Sequence, residues 1–305
     1  MKNHFGGIVV PVVTPFDKTG ELDLGALAVI IEFLLERGVH GIMPLGSQGE
    51  FYALSTSEKR AIIDAVIKCV DTRTLVIVHV GEIATQACID LAKYAEAAGA
   101  DAIAVITPFF IKPSQQELAD HYKQICAAIS VPVFAYNNPD RSGVNLTPKT
   151  VADLAEHVTN FVGIKDSSGD LAQTAAYARI CSEGFYTFIG RDSLIYEGLV
   201  HGVVGAVAST ANVFPDLVVS IYRAFQKGDH DRARQLQSIL TPLREAFSLG
   251  TFPCVVKDAM NLLGLPAGEP RRPVQGLIGP HKDELIAILA SINQYQSGSQ
   301  KGKLP

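Results

Sequence analysis

The sequence predicts a (β/α)8 barrel carrying a C-terminal helical appendage. Eight short β-branched runs alternate with longer segments of helical periodicity, the pattern of βα units that build a parallel sheet. The alternation stops near residue 226, and only helical segments follow. The length, 305 residues, exceeds the roughly 250 of one such barrel by enough for several extra helices. Eight strands with eight helices close a barrel more naturally than they fill an open doubly wound sheet.

In order, the strand runs are residues 8–13, 41–45, 75–80, 102–106, 131–136, 162–165, 186–189 and 205–208. Between them, residues 24–36, 58–69, 86–98, 115–129 and 215–226 have helical periodicity. Ser57 and Thr147 stand where helix N-caps belong, Thr147 being followed by a proline at the first helical position. Gly38 and Gly99 stand where helices end. Residues 229–249, 254–263 and 282–295 then read as helices. The chain is thus expected to divide into a barrel over 1–226, which holds the site, and a helical region over 227–296. Residues 297–305, polar and Gly/Ser/Lys-containing, are expected to form a flexible tail.

Composition narrows the function. With 48% apolar and 19% charged residues the chain suits a large buried core. A net charge of −5 without any sustained Lys/Arg run leaves no electrostatic footprint for nucleic acid or an anionic membrane, so a small-molecule partner is expected. No apolar run reaches the roughly 20 residues of a bilayer span, and no signal-peptide pattern opens the chain, so the expected location is the cytoplasm. Cys69, Cys88, Cys126, Cys181 and Cys254 are odd in number and widely spaced, and read as reduced thiols. The histidines form no close metal-ligand pair, only His79 lies near a strand end, and no GxGxxG turn follows a strand.

In a (β/α)8 barrel, polar residues at the C-terminal ends of the strands have functional priority. That rule selects Gly46-Ser47-Gln48-Gly49-Glu50, Tyr136 through Arg141, Lys165-Asp166-Ser167-Ser168, Gly190-Arg191-Asp192 and Ala208-Ser209-Thr210. Lys165 follows the apolar Val162-Gly163-Ile164 and should point toward the barrel mouth. An ordinary lysine amine, with a pKa near 10.4, is neutral in only about one molecule in 2,500 at pH 7, and desolvation is what supplies the free amine that carbonyl attack requires. From position alone two readings stand: an amine nucleophile, or an ion-pair partner of Asp166 or another carboxylate. Tyr136 is either a general acid/base or a core tyrosine with its hydroxyl at the rim. The loop at residues 46–49 is either a cradle for a carboxylate or a tight turn. Arg191 and Asp192 are either specificity residues or a surface ion pair.

Taken together these residues resemble the pyruvate-type class I aldolases of the dihydrodipicolinate synthase and N-acetylneuraminate lyase family. The resemblance runs from Pro11-Val12-Val13-Thr14-Pro15-Phe16 into the helical region. Its specific part is the ordered set Gly46-Ser47-Gln48-Gly49-Glu50, Tyr136-Asn137, Gly163-Ile164-Lys165-Asp166 and Thr210-Ala211-Asn212. It implies that Lys165 forms an imine with the C2 carbonyl of pyruvate or another 2-keto acid, and that Tyr136 moves protons. It further implies that Ser47 and the amide of Gln48 hold the substrate carboxylate, within the glycine-bounded turn Gly46 to Gly49. Arg141 and Ser167, backbone groups near Gly190 and Val207, and Asp192 should line the same pocket. No metal or organic cofactor is implied. The family's assembly, a tetramer of two tight dimers, would place Phe110 near a neighbouring site.

Three departures bear on the substrate. Gln48 stands where the synthase has a second hydroxyl residue, and Phe110 stands where it has a tyrosine. Phe51, Thr56 and Ile83 occupy positions of the synthase's lysine-feedback site, so feedback by lysine is not expected. Arg141 does match the arginine that the synthase uses for its second substrate. The preferred expectation is reversible aldol cleavage of a 2-keto-3-deoxy or 4-hydroxy-2-keto acid to pyruvate and an aldehyde. Condensation of pyruvate with aspartate semialdehyde is the alternative, as is dehydration or deamination through the same imine. A non-catalytic keto-acid-binding barrel is the reading from another class.

Overall fold

Eight parallel strands close on themselves in chain order: β1 Gly7–Val10, β2 Gly41–Ile42, β3 Leu75–His79, β4 Ala102–Ile106, β5 Val133–Asn137, β6 Phe161–Asp166, β7 Tyr186–Ile189 and β8 Gly205–Val207. This computed structural model describes residues 5–180 and 184–301; Cys181, among the expected free thiols, lies outside them. Each expected run yields a strand. β1 and β2 are shorter than their apolar runs, because the chain leaves the ladder early to build loops that are themselves buried.

Strand alternation sorts the side chains into two cores. Phe5, Val9, Met43, Ile77, Ala104, Phe134, Phe188 and Val207 fill the barrel interior. Their neighbours, such as Ile8, Val10, Val105, Ala135 and Ile164, pack outward under the helices. Phe5 plugs the N-terminal end, edge-on to Phe134 and Tyr186 at centroid distances of 5.0 and 5.4 Å. Gly163 is required by this filling. A Cβ there would lie 2.3 Å from the Phe134 ring and 2.4 Å from the Tyr186 carbonyl.

The outer helices include Leu24–Glu36, Thr56–Val70, Thr85–Ala98, Gln115–Ala128, Pro148–His157 and Pro215–Gln226. Thr147 caps Pro148–His157 as expected, and Gly99 ends Thr85–Ala98 at a φ of +105°. Ser57 does not cap its helix. Ser55 does, because Glu58 lies three residues after it and closes a capping box: the Glu58 amide donates to the Ser55 hydroxyl, and the Ser55 amide donates to the Glu58 carboxylate at 2.8 Å.

The appendage comprises His230–Glu245, a 3-10 turn Ala246–Leu249, Cys254–Leu262 and Gly279–Lys301. The last helix therefore runs past Gln296, through the first part of the expected tail, while residues 302–305 lie outside those described. His230–Glu245 packs on Pro215–Gln226 and on the turn after β7. Two fixtures lock the appendage to the barrel mouth. Gln237 donates to the Asp192 carbonyl at 3.0 Å and accepts from the Tyr196 amide at 3.1 Å. Lys257, fully buried, pairs with buried Glu50 at 2.6 Å.

Candidate active site

One cavity of about 290 Å³ opens at the C-terminal end of the strands and collects residues from both parts of the chain. Tyr136 and Lys165 are direct neighbours across β5 and β6, and both line it. Two-residue periodicity decides the fate of the lysine. Asp166 points the other way, where its carboxylate accepts from Asn137 Nδ2 at 3.0 Å, Ser168 Oγ at 2.9 Å and Thr174 Oγ1 at 2.6 Å. Among the described residues no carboxylate lies within ion-pair distance of Lys165, which is only 5% exposed. Its Nζ instead sits 3.8 Å from the centre of the Tyr136 ring. The ion-pair reading of Lys165 is thereby removed.

Gly190, at the end of β7, makes the room that Lys165 needs. A Cβ at 190 would lie 2.0 Å from Ser167 Oγ and 3.0 Å from Lys165 Cε. The Tyr136 hydroxyl shares a hydrogen bond with Ser47 Oγ at 3.3 Å and accepts from Asn138 Nδ2 at 2.9 Å. Burial pushes the phenol up, but the neighbouring Lys165 charge and the hydrogen bonds from Ser47, Asn138 and Lys165 outweigh it. The net effect holds Tyr136 below the ordinary tyrosine value. Asn138 can only donate toward this oxygen through its amide N–H, whereas in the bond between Tyr136 and Ser47 either hydroxyl can be the donor.

The loop over residues 46–49 is pinned at both ends by residues in left-handed backbone, Leu45 at φ +60° and Glu50 at φ +53°. Such conformations persist in bulky residues only when the surroundings over-determine them. Here the Glu50 carboxylate is held by Lys257 and by the Arg271 amide at 2.9 Å, and the Gly49 carbonyl accepts from Thr14 Oγ1 at 2.7 Å. Gln48, 2% exposed, lines the cavity with neither side-chain amide atom hydrogen-bonded within the protein. A buried amide left unpaired by the protein is a group awaiting a partner. His79 lies beneath, 6.0 Å from Tyr136 ring to ring, pushed down to about 3 by burial and then by the Lys165 charge. It is a neutral packing residue.

Ser47, Gln48, Tyr136, Arg141, Lys165, Ser167, Gly190 and Asp192 all line the cavity. Gly46, Gly49 and Val207 do not. Gly49 backs onto the Val12 carbonyl, Gly46 lies under Pro11, and Val207 belongs to the interior packing, so that Ser209 faces the cavity in its place. Nor do Arg191 and Asp192 pair with each other: Arg191 reaches Asp140 at 3.4 Å, and Asp192 is buried, accepting from the Thr210 amide at 2.6 Å. Asn212 also proves structural, joining the exits of β1 and β8 through the Pro11 carbonyl and the Val13 amide.

Sequence reasoning missed Asn138, which the strand-end segment contained, and Arg244, Phe247, Ser248 and Phe252, which the appendage contributes. Phe110 is 94% exposed, at a φ of +71°, outside the cavity, and Tyr52, Ile83 and Ile111 are exposed apolar residues as well.

The model of the "Dihydrodipicolinate synthetase family" matches residues 4–292. A 4-hydroxy-tetrahydrodipicolinate synthase of Thermodesulfovibrio yellowstonii is 37% identical over 94% of this chain and 98% of its own. The solved 4-hydroxy-tetrahydrodipicolinate synthase of Methylacidiphilum fumariolicum SolV superposes with a TM-score of 0.94 at 30% identity, covering 98% of this chain and 99% of that one. A prophage protein of E. coli K12, of the dihydrodipicolinic acid synthase family and solved in complex with pyruvate, gives 0.92 at 32% identity over 95% and 99%. With a matched profile over nearly the whole chain and relatives alike from end to end, the chain belongs to the dihydrodipicolinate synthetase family and is a lyase of the class I aldolase type.

Proposed function

We propose that the protein cleaves a 2-keto-3-deoxy or 4-hydroxy-2-keto acid reversibly to pyruvate and an aldehyde, through an imine on Lys165. The observation that carries this reading is the buried Lys165 amine, without a carboxylate partner among the described residues, against the Tyr136 ring at 3.8 Å. The neutral amine attacks the keto carbon, and the carbinolamine loses water after receiving a proton from Tyr136. The Tyr136 oxygen then takes the proton of the C4 hydroxyl. The C3–C4 bond breaks, its electron pair enters the iminium to give an enamine, and the aldehyde leaves. Protonation at C3 and hydrolysis release pyruvate and the free lysine. Ser47 serves as proton partner of Tyr136, and the turn at Ser47 and Gln48 receives the keto-acid carboxylate. The imine is the electron sink, so no metal or organic cofactor enters.

Gln48 and exposed Phe110 supply neither the second hydroxyl nor the phenol of a longer proton relay, which favours cleavage over condensation with aspartate semialdehyde. The synthase reading is kept by Arg141 in the cavity and by the names of the relatives. The exposed apolar residues Tyr52, Ile83, Phe110 and Ile111 support assembly with further copies, as a dimer of dimers. The free thiols of buried Cys88, Cys126 and Cys254 support a cytoplasmic location.

Incubation with pyruvate and borohydride followed by intact mass tests the chemistry. An adduct that disappears in Lys165→Ala is expected; an adduct that survives that substitution, or none in the parent, refutes the imine. Pyruvate release from a panel of 2-keto acids, run against pyruvate plus aspartate semialdehyde, tests the direction. Efficient condensation with the semialdehyde would overturn the cleavage reading.

A further inference from the structure

The turn at residues 46–49 is held between two residues, Leu45 and Glu50, that sit in left-handed backbone without the freedom of glycine. At Glu50 the restraint comes from the far end of the chain. Glu50 is fully buried, and the appendage takes both of its carboxylate oxygens: one pairs with Lys257 at 2.6 Å, the other accepts from the Arg271 amide at 2.9 Å. Lys257, on the helix Cys254–Leu262, has no exposed surface. Its ammonium also donates to the Glu269 carbonyl at 3.1 Å and lies 4.3 Å from the centre of the Phe16 ring. The Arg271 guanidinium rests on the same ring, also at 4.3 Å, and donates to the Gly20 and Ala53 carbonyls at 3.0 and 2.9 Å and to Glu58. Gly268 permits this close docking, since a Cβ there would come within 2.2 Å of the Phe16 carbonyl oxygen.

Stability alone does not account for the pair. Apolar residues of the same volume are often as stable as a fully buried ion pair, whose better-attested use is to specify one geometry among several. Charge gives a second reason. Glu50 directly follows the turn that takes the keto-acid carboxylate, and an uncompensated anion there would oppose a second one. Lys257 cancels it without entering the cavity, which neither residue of the pair lines. We propose that Lys257 is a positioning residue for the substrate carboxylate: acting through Glu50, it sets the turn at Ser47 and Gln48 and neutralises the charge behind it. The helical appendage thereby controls what the barrel recognises. The proposal rests on the reading of that turn as the carboxylate site and adds the device that makes it competent.

Oxamate and oxamide test it. They resemble pyruvate and its amide in shape, differ in the carboxylate, and form no imine, because an amide carbonyl does not condense with lysine. Calorimetric titration of the parent is expected to show oxamate bound about 10-fold or more tighter than oxamide. In Lys257→Met oxamate should weaken by about 10- to 100-fold, while oxamide moves by less than about 2-fold. Lys257→Met with Glu50→Gln removes both charges and keeps an acceptor for the Arg271 amide. That double variant should bind oxamate more tightly than the single one but at least about 3-fold more weakly than the parent, and it carries the test where the single one does not fold. Equal losses for oxamate and oxamide would mark a merely structural brace and overturn the proposal, as would parent-like oxamate binding in either variant. Borohydride trapping of pyruvate reads the same effect on the imine: in Lys257→Met the half-saturating pyruvate concentration should rise about 10-fold or more, with the saturating rate within about 3-fold of the parent. A lower saturating rate at unchanged half-saturation overturns it. If the parent forms no adduct while oxamate selectivity still follows Lys257, the imine reading fails and the positioning role stands. If the parent does not prefer oxamate, no carboxylate turn exists to be positioned and the proposal falls.

Discussion

Replacing Gly190 by alanine should disable the lysine without touching it. The backbone at 190 is outside the left-handed region, so alanine is conformationally admissible and the effect is steric. The new methyl would meet Ser167 Oγ at 2.0 Å, about 1.4 Å short of ordinary contact at 3.4 Å, and Lys165 Cε at 3.0 Å. Ser167 must retreat by more than an ångström and Lys165 by a few tenths. Misplacement of a reacting group by about 1 Å costs on the order of 100-fold in rate, and overpacking of this kind destabilises by about 1–3 kcal/mol. Gly190→Ala is therefore expected to slow borohydride-trapped imine formation with pyruvate by roughly 10- to 100-fold, with a folded far-UV spectrum and a modest fall in Tm. Ser167→Ala in the same chain removes the closest clash and should recover part of the rate. Imine formation at the parent rate in Gly190→Ala would refute the packing argument, and a double variant slower than the single would refute its assignment to Ser167.

Three further outcomes follow from the same geometry. Lys257→Met leaves the Glu50 carboxylate buried without its 2.6 Å partner and should destabilise by about 3–5 kcal/mol in urea unfolding, with Glu50→Gln in the same chain restoring a large part; additive losses would contradict the pair. Asn138→Val removes the 2.9 Å donor to the Tyr136 oxygen, so the limb of the kcat profile that reports Tyr136 should move to higher pH, and kcat should fall about 10-fold; an unmoved limb would show that Asn138 only packs. His79 is held near 3 in the folded protein against 6.5 for the free side chain, so the unfolded chain binds the extra proton between those values. Stability should fall as pH drops from about 6.5 toward 3, and His79→Leu should flatten that fall in pH-dependent unfolding; an unchanged slope would contradict the buried neutral ring.

Sequence alone determined the elements that depend on near neighbours along the chain. β-branched runs placed all eight strands, and Thr147 before Pro148 placed a helix start, because strand pairing and capping are read from a few adjacent residues. The strand-end rule found Lys165, Tyr136 and Ser47, since barrel topology gathers the C-terminal strand ends whatever their separation in sequence. The same local logic, applied with the wrong residue of a pair, chose Ser57 over Ser55. Only the reciprocal bond to Glu58 separates them.

Tertiary structure decided what each side chain faces. The two-residue period turned Lys165 into the cavity and Asp166 into its own hydrogen-bond cluster, which residue adjacency cannot distinguish from an ion pair. It engaged Asp140 with Arg191 and sent Asp192 inward to the Thr210 amide. It folded the appendage over the barrel mouth, where Lys257 fixes the loop ending at Glu50 and where Arg244, Phe247 and Phe252 complete the cavity. Those contacts join residues far apart in the chain through packing of amphipathic helices on a closed barrel. No local pattern encodes them, because each depends on the angle and register at which the helices dock. The buried lysine, without a carboxylate partner among the described residues, was thus legible in one strand end, while the full lining of the cavity it faces emerges only when the two parts of the chain meet.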